Sequence, residues 1–159
     1  LKKLQGIKLV LTDVDGVLTD GGMYYSSKGD IMKKFHVRDG MAVNMLKKHN
    51  IPTIIVTKEK NPIINQWGKK MNIKKIFDGV LDKKKILVKV CKEFKIKPSN
   101  VVYIGDDIND ITLLKSVGMS VAPTDAWKNT KKIVDYISEK HGGKGVLREI
   151  SDLILTRNW

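Results

Sequence analysis

The feature that most constrains the fold is an alternation of short apolar runs and amphipathic stretches along the chain. The runs Ile7–Thr12, Ile51–Thr57 and Val101–Gly105 are rich in β-branched residues and end in a polar residue or a glycine. Between these runs, apolar residues recur at three- and four-residue spacing, which is typical of helices. Apolar strands that alternate with helices indicate a parallel sheet covered on both faces. The sequence therefore predicts an α/β, doubly wound parallel sheet in a single domain over residues 1–159.

The same pattern predicts the remaining elements. Two shorter strands are expected, at Ile76–Gly79 and Met119–Ala122. Five helices are expected, at Gly40–Lys48, Pro62–Met71, Asp82–Phe94, Asp107–Val117 and Val146–Leu155.

Residues 21–37 interrupt the alternation and predict a β-hairpin insertion. Residues 23–25 and Ile31–Val37 have the composition of two strands around a polar, glycine-containing turn. The hairpin follows the first strand and precedes the first helix. We therefore expect it above the carboxyl end of the sheet, where open α/β folds bind ligands.

The charge balance is strongly basic, with 30 Lys and Arg against 17 Asp and Glu and a formal net charge of +13. The lysines are spread through almost every segment and are not interleaved with aromatic residues, which favours a solvated basic surface over nucleic-acid binding. Attraction of small anions is a second interpretation. No apolar run approaches the roughly 20 residues that span a bilayer, so no membrane partner is expected. A single cysteine, Cys91, favours a reducing, cytoplasmic compartment.

Two carboxylates lie where the first predicted strand ends, in the run DVDGVLT. Asp13 and Asp15 are two residues apart, so on an extended backbone their side chains share a face. Such close carboxylates repel unless a cation or a proton lies between them, and Mg²⁺ prefers oxygen ligands of this kind. Gly16 allows a tight turn and a close approach to a ligand. A calcium loop is the alternative, but the later ligand positions of such a loop are missing.

A second acidic cluster, GDDIND, follows another predicted strand and contains Asp106, Asp107 and Asp110. If both strands lie at the centre of one parallel sheet, this cluster meets Asp13 at the carboxyl edge. Several carboxylates around one crevice predict a metal site. Capping of the following helix is an alternative role for Asp107.

A hydroxyl and an ammonium group complete the predicted site. Thr57 ends a third strand and can donate to a phosphate oxygen, and Lys83 lies near the start of a helix, where it supplies a fixed positive charge. Lys84 or Lys85 is an alternative to Lys83, since all three lie in one run. Carboxylates for Mg²⁺, a hydroxyl and a lysine together suit phosphoryl transfer through an aspartyl-phosphate.

These motifs, in this order, resemble those of the haloacid dehalogenase superfamily of phosphatases. The resemblance implies that Asp13 is the nucleophile and that Asp15 protonates the leaving oxygen and later activates water. It also implies a Mg²⁺ cofactor bound by Asp13, Asp106 and the Asp15 carbonyl. Asp107 and Asp110 are expected to support these ligands. Thr57 and Lys83 are expected to hold the transferring phosphoryl group.

A narrower resemblance covers nearly the whole chain. FHVRDG (residues 35–40), HGGKGVLRE (residues 141–149) and a hairpin in place of a cap domain look like the capless 3-deoxy-D-manno-octulosonate 8-phosphate phosphatases. The resemblance implies a phosphorylated sugar acid as substrate and a homotetramer that assembles through the hairpins, with neighbouring subunits closing the active site. Phosphatases of 2-keto-3-deoxynononate 9-phosphate, and the phosphatase-like part of N-acylneuraminate cytidylyltransferases, share this architecture.

The segment after Thr57 departs from the octulosonate pattern, which usually continues Gly-Arg, because this chain continues Lys58-Glu59. A glutamate at this place resembles the pattern of the nononate phosphatases, and Glu59 is expected to contact substrate hydroxyls or an amide. Residues 65–67 (Asn-Gln-Trp) stand where relatives often carry arginines, so Lys70 is expected to bind the substrate carboxylate in their place. Arg148 is expected to help shape the substrate pocket. Eight- and nine-carbon substrates therefore both stay open, and a catalytically silent tetramerising module is the rival from another class.

Overall fold

A computed structural model describes residues 2–156, except for the side chain of Lys2. Six of its eight strands form one parallel sheet and two form a hairpin. The strands are β1 (Leu9–Thr12), β2 (Tyr24–Ser26), β3 (Gly29–Met32), β4 (Thr53–Val56), β5 (Lys75–Phe77), β6 (Val101–Ile104), β7 (Met119–Ala122) and β8 (Tyr136–Ile137).

The helices flank the sheet. They are α1 (Val37–Lys48), α2 (Pro62–Lys70), α3 (Lys83–Phe94), α4 (Ile111–Leu114), α5 (Lys128–Lys131) and α6 (Val146–Thr156). Single 3₁₀ turns lie at Lys2–Leu4, Pro98–Asn100 and Ile108–Asp110. No helix within residues 2–156 is long and apolar enough to cross a membrane.

The sheet is covered on both faces, as predicted. Every residue of β1, β4, β6 and β7 is buried, and alternate side chains point to opposite faces. Val10 packs with apolar residues of α1, α2 and α6 on one face, while Leu9 and Leu11 pack with residues of α3 and α4 on the other. The near-continuous apolar strands of the sequence are explained by this two-sided burial.

The strand order places the first strand at the point where the winding reverses. The sheet runs β5-β4-β1-β6-β7-β8, so β1 lies between β4 and β6. Thr12 at the end of β1 pairs with Ile55 on one side and with Ile104 on the other. The residues that follow β1, β4 and β6 therefore meet at one crevice, which is where α/β sheets bind ligands.

The hairpin is present, but its second strand was predicted wrongly. The segment expected as Ile31–Val37 is a strand only as far as Met32, within β3. Lys33 turns its side chain inward to an ion-pair network, and the side chain of His36 caps α1 by accepting from Arg38 N at 3.2 Å. His36 keeps an extended backbone as the N-cap residue, and Val37 begins α1.

Two further predictions need correction. The helix expected over Asp107–Val117 is a 3₁₀ turn followed by the four-residue α4. The 3₁₀ turn forms because the Asp110 side chain accepts from the backbone N–H of Asp107, the residue that caps the turn. The short elements β8 and α5 were missed, since two and four residues are too few to show a period.

Candidate active site

A cleft with a volume of about 520 Å³ lies at the carboxyl edge of the sheet. It collects residues from the loops after β1, β4 and β6, as the strand order requires. Its lining residues are Asp13, Asp15, Gly16, Gly21, Thr57, Lys58, Glu59, Asp106, Asp107 and Asn109. The structure therefore brings together most of the residues that were predicted from the sequence.

Asp13 is held rigidly at the floor of this cleft. Its backbone N–H donates to the Ile104 carbonyl at 3.0 Å, which continues the pairing of β1 with β6. The carboxylate accepts from Val14 N at 2.8 Å through Oδ1 and from the Lys83 ammonium at 2.7 Å through Oδ2. With 5% of its surface exposed, Asp13 is fixed in orientation and still reaches the cleft.

Lys83 is buried behind Asp13 and does not line the cleft. It is the first residue of α3, and its side chain is 1% exposed. Its ammonium donates to Asp13, to Asp110 Oδ1 at 2.6 Å and to the Tyr103 hydroxyl at 3.2 Å. Burial lowers the pKa of Lys83, but the attraction of Asp13 and Asp110 outweighs it, so that the pKa lies above its ordinary value. Lys83 is therefore a fixed cation beneath the carboxylate that was predicted as the nucleophile.

Asp13, Asp106 and Asp110 form one acidic cluster, with an oxygen from each within 4.8 Å of the others. Burial, and then repulsion from Asp110, raises the pKa of Asp13 to about 7, although Lys83 lowers it. Burial, and then repulsion from Asp13 and Asp110, raises the pKa of Asp106 to about 8. The crowded carboxylates therefore favour a bound cation or proton.

Asp110 supports the cluster from behind, since both of its oxygens already have partners. Oδ1 accepts from Lys83 and from the Tyr103 hydroxyl. Oδ2 accepts from the backbone N–H groups of Asp106 at 2.8 Å and Asp107 at 3.2 Å. Asp110 thus shapes the loop that presents Asp106, and it leaves Asp13 and Asp106 as the oxygen donors that face the cleft.

The cluster fits Mg²⁺ by the chemistry of its donors. All of the groups concerned are oxygens, which Mg²⁺ prefers. The pKa values of Asp13 and Asp106 are raised first by burial and then by repulsion between carboxylates, and a bound cation would offset both effects. Gly16 has a φ of +81°, and a Cβ atom there would overlap the Asp106 carboxylate. The backbone of the loop that follows β1 therefore lies against the Asp106 carboxylate, where only a glycine fits.

Asp107 has the capping role that the sequence left open. Its side chain accepts from Ile108 N at 2.6 Å and begins the 3₁₀ turn Ile108–Asp110. It also lines the cleft, so the capping role and a supporting role beside Asp106 are both compatible with its position.

The predicted substrate-binding residues divide between three places. Gly16 and Glu59 line the cleft with Thr57, whereas Lys70 and Arg148 do not. Lys70 lines a surface hollow beside Phe35 and Trp67, whose rings stack at 4.4 Å. Arg148 lies in a separate basic hollow and pairs with Asp152 at 2.9 Å. Within one subunit, Lys70 and Arg148 therefore do not join the acidic cluster, and their contact with substrate stays a prediction.

The turn His141–Gly145 braces the first catalytic loop. Gly143 N donates to the Val17 carbonyl at 2.9 Å, and a Cβ atom at Gly142 would overlap the Gly16 carbonyl. The turn was predicted to lead into α6, and the structure adds this contact with the loop that follows β1.

Sequence reasoning missed Lys33, which contacts Asp15 from the hairpin. The Lys33 ammonium donates to Asp15 Oδ1 and to Glu59 Oε2, each at 2.8 Å, and lies 3.4 Å from Asp30 Oδ2. Burial lowers the pKa of Lys33, but the hydrogen bonds to Asp15 and Glu59 outweigh it and raise the pKa above its ordinary value. The hairpin position beside the site was the only signal in the sequence that could have indicated this contact.

Known proteins resemble this chain over most of its length. Residues 48–150 match the family model of the haloacid dehalogenase-like hydrolases. The 3-deoxy-D-manno-octulosonate 8-phosphate phosphatase of Haemophilus influenzae is 40% identical over 97% of this chain and 86% of its own length. The corresponding phosphatase of Escherichia coli K12 is 34% identical over 98% of this chain and 82% of its own length.

Solved structures give the same result. The cobalt-bound deoxy-D-mannose-octulosonate 8-phosphate phosphatase of H. influenzae superposes with a TM-score of 0.94 at 40% identity, over 97% of this chain and 90% of that one. The Moraxella catarrhalis 3-deoxy-D-manno-octulosonate 8-phosphate phosphatase, in complex with magnesium, phosphate and 3-deoxy-D-manno-octulosonate, superposes with a TM-score of 0.93 at 35% identity, over 98% and 89%. This chain therefore belongs to the haloacid dehalogenase-like hydrolases, in the family of the 3-deoxy-D-manno-octulosonate 8-phosphate phosphatases.

Proposed function

We propose that this protein is a Mg²⁺-dependent phosphomonoesterase that removes the phosphate from 3-deoxy-D-manno-octulosonate 8-phosphate. The observation that carries the proposal is the juxtaposition of Asp13, Lys83 and Asp106 at the switch point of the sheet. A silent module would have no physical need for buried carboxylates that repel one another, because that arrangement destabilises the folded state unless a ligand offsets it.

Asp13 is the proposed nucleophile. One of its oxygens attacks the phosphorus, and the bond from phosphorus to the sugar oxygen breaks, which forms an aspartyl-phosphate. The contacts of Asp13 with Val14 N and the Lys83 ammonium hold the carboxylate in one orientation, so that the attack needs little rearrangement. The negative charge of the phosphate opposes this attack, and the Lys83 ammonium offsets part of it.

Asp15 is the proposed general acid and base. It gives a proton to the departing sugar oxygen and then takes a proton from the water that attacks the aspartyl-phosphate, which releases inorganic phosphate and restores Asp13. Thr57 lines the cleft, and in this proposal its hydroxyl donates to a phosphate oxygen. Asp13, Asp106 and the Asp15 carbonyl would hold Mg²⁺, which supplies charge that stabilises the transferring phosphoryl group.

Specificity for the sugar acid is assigned to Glu59, with Lys58 beside it. Both residues line the cleft next to Thr57. Glu59 is expected to contact substrate hydroxyls, and a glutamate at this place resembles the nononate phosphatases. The nine-carbon 2-keto-3-deoxynononate 9-phosphate is therefore the competing substrate in the test.

We also propose a homotetramer in which hairpins of neighbouring chains pack together and Lys70 and Arg148 reach an adjacent active site. Exposed apolar side chains on the hairpin support this assembly, among them Met23 at 69% and Tyr25 at 64% exposure. The reaction is assigned to the cytoplasm, with support from the single cysteine of the chain.

The test is release of inorganic phosphate from octulosonate 8-phosphate, nononate 9-phosphate and N-acylneuraminate 9-phosphate. We expect the first to have the highest kcat/KM, and we expect EDTA to abolish activity and Mg²⁺ to restore it. The Asp13→Asn variant should lose at least about 1,000-fold in kcat with the fold intact, because the attacking carboxylate is gone. Full Mg²⁺-dependent activity of Asp13→Asn, or no hydrolysis of any of the three substrates by the wild type, would contradict the proposal.

A further inference from the structure

The hairpin places a buried ammonium group among three carboxylates at the edge of the cleft. Lys33 directly follows β3, and its side chain is only 3% exposed. The ammonium lies 2.8 Å from Asp15 Oδ1, 2.8 Å from Glu59 Oε2 and 3.4 Å from Asp30 Oδ2. Burying a lysine is unfavourable unless its charge and its hydrogen-bond donors are satisfied, and here three carboxylates satisfy them.

We propose that Lys33 is a positioning residue that orients Asp15 for proton transfer and fixes Glu59 for recognition of the sugar. This inference rests on the proposed function, since it takes Asp15 as the acid and Glu59 as a substrate contact. It adds a residue outside the predicted motifs, contributed by the hairpin.

The contacts of Asp15 carry the first half of the inference. Its Oδ1 accepts from Lys33 and, at 3.4 Å, from the Thr19 hydroxyl. Among the hydrogen bonds of residues 2–156, none reaches Asp15 Oδ2, and the side chain is 35% exposed at the cleft. Holding one oxygen from behind leaves the other for the substrate, which is the geometry that a general acid needs. Without Lys33, only the longer hydrogen bond from Thr19 would hold Asp15, and its side chain could rotate between staggered rotamers.

The contacts of Glu59 carry the second half. Its Oε2 accepts from Lys33, and its Oε1 accepts from Asn61 Nδ2 at 3.3 Å. The same Asn61 amide donates to Asp30 Oδ2 at 3.1 Å, while Asn61 Oδ1 accepts from Ile63 N and caps α2. Glu59 is thus held at both oxygens, between the hairpin and the start of a helix. A carboxylate fixed in this way binds substrate hydroxyls with a smaller loss of side-chain entropy.

The two roles can be separated from a merely structural one by the choice of substrate. A sugar alkoxide is a poor leaving group that needs a proton from Asp15, whereas p-nitrophenolate leaves readily without one. p-Nitrophenyl phosphate also has no sugar hydroxyls for Glu59 to bind. Loss of Lys33 should therefore impair hydrolysis of the sugar-acid phosphate much more than hydrolysis of p-nitrophenyl phosphate.

The experiment measures kcat and KM of the wild type and of three variants on both substrates with saturating Mg²⁺. We expect Lys33→Met to lower kcat/KM for the sugar-acid phosphate by about 100-fold, through a lower kcat and a higher KM, and to change that for p-nitrophenyl phosphate by less than about 3-fold. Lys33→Arg should recover part of the loss, because it keeps the charge. The matched control is Lys34→Met, which removes an exposed lysine of the hairpin for which the described residues show no ion pair.

The outcomes distinguish this inference from the proposed function. Equal losses in kcat/KM on both substrates, no loss on either, or an Arg variant no better than the Met variant would overturn the positioning role; an equal loss in kcat alone would not, because Asp15 serves the hydrolysis of the aspartyl-phosphate with both substrates. A wild-type enzyme that hydrolyses p-nitrophenyl phosphate but no sugar-acid phosphate would instead overturn the proposed substrate, and the role of Lys33 in recognising it would fall with it.

Discussion

At the scale of single residues, the proposed metal site depends on the absence of a side chain as much as on the carboxylates. Gly16 has a positive φ of +81°, which is costly for residues with a Cβ atom, and its missing Cβ leaves room for Asp106. Gly21 also has a positive φ, of +74°, and lines the same cleft, but a Cβ there would only touch the backbone of Gly16, at 3.6 Å. An alanine at either position would strain the backbone, but only one at Gly16 would also overlap the Asp106 carboxylate, so the two variants distinguish the two effects.

We expect Gly16→Ala to weaken Mg²⁺ binding by at least about 10-fold, because the new methyl group displaces the Asp106 carboxylate from the cluster. The Gly21→Ala variant is the control, since it carries a similar backbone cost of about 1 kcal/mol without that overlap. Isothermal titration of each variant with Mg²⁺ measures the difference. If Gly16→Ala bound Mg²⁺ as tightly as the wild type, Asp106 would not be a ligand in the arrangement described.

The place of a site residue was predictable where that residue lies just after a strand. Asp13, Thr57 and Asp106 end up in one cleft because the ends of parallel strands meet at one edge of a sheet. Lys33 and the Tyr103 hydroxyl were not predictable in this way. Lys33 differs from its neighbour Lys34 by its burial and its ion pairs, and both depend on a hairpin conformation that the sequence does not specify.

At the scale of elements, a buried carboxylate joins the first and last helices. Asp39 lies in the first turn of α1, is fully buried, and accepts from Arg148 N in the first turn of α6 at 3.0 Å. Its other oxygen has no hydrogen-bond partner among the described residues. Burial raises the pKa of Asp39 from 3.8 to about 7, although the backbone N–H groups of Arg148 and Leu147 lower it. The buried contact between α1 and α6 therefore favours the neutral form of the Asp39 carboxyl group.

The free energy of unfolding should depend on pH through Asp39. A carboxyl group whose pKa is raised by folding stabilises the native state below its unfolded pKa, and this contribution is lost as pH rises from about 4 through about 7. The Asp39→Asn variant cannot ionise, so its stability relative to the wild type should increase by about 2–4 kcal/mol between pH 4 and pH 8. Urea unfolding at both pH values measures this change. Asp152→Asn, at a half-exposed carboxylate on α6, is the control, and an equal change in that variant would contradict the role of Asp39.

Elements were predictable in proportion to the number of residues that repeat a pattern. The buried strands β1, β4 and β6 and the helices α2, α3 and α6 lie where the apolar spacing placed them. The second hairpin strand was predicted too long because its pairing with β2 ends at Met32, and the side chains of Lys33 and His36 make tertiary and capping contacts instead. Local pattern cannot register such contacts, since they depend on residues elsewhere in the chain.

At the scale of the whole molecule, the hairpin leaves apolar surface for which one chain provides no cover. Ile31 and Met32 are 56% and 52% exposed, in addition to Met23 and Tyr25. Contiguous exposed apolar side chains favour association, whereas single ones are ordinary. Because Lys33 links this same hairpin to Asp15 and Glu59, association would also restrict motion of the active site.

We therefore expect the double variant Tyr25→Glu/Ile31→Glu to dissociate the assembly into 18.0 kDa monomers, because buried unpaired carboxylates would oppose packing of the hairpins. Light scattering after size-exclusion chromatography measures the mass, and the wild type should have the mass of four chains. Val88→Glu is the control, since Val88 is 65% exposed on α3, away from the hairpin, and this variant should keep the wild-type mass. The monomeric variant should also lose sugar-acid phosphatase activity by about 10-fold or more, because its hairpin no longer holds Lys33 in place. A wild-type protein that is monomeric at micromolar concentration would contradict the assembly, and a fully active monomeric variant would show that one chain completes the site alone.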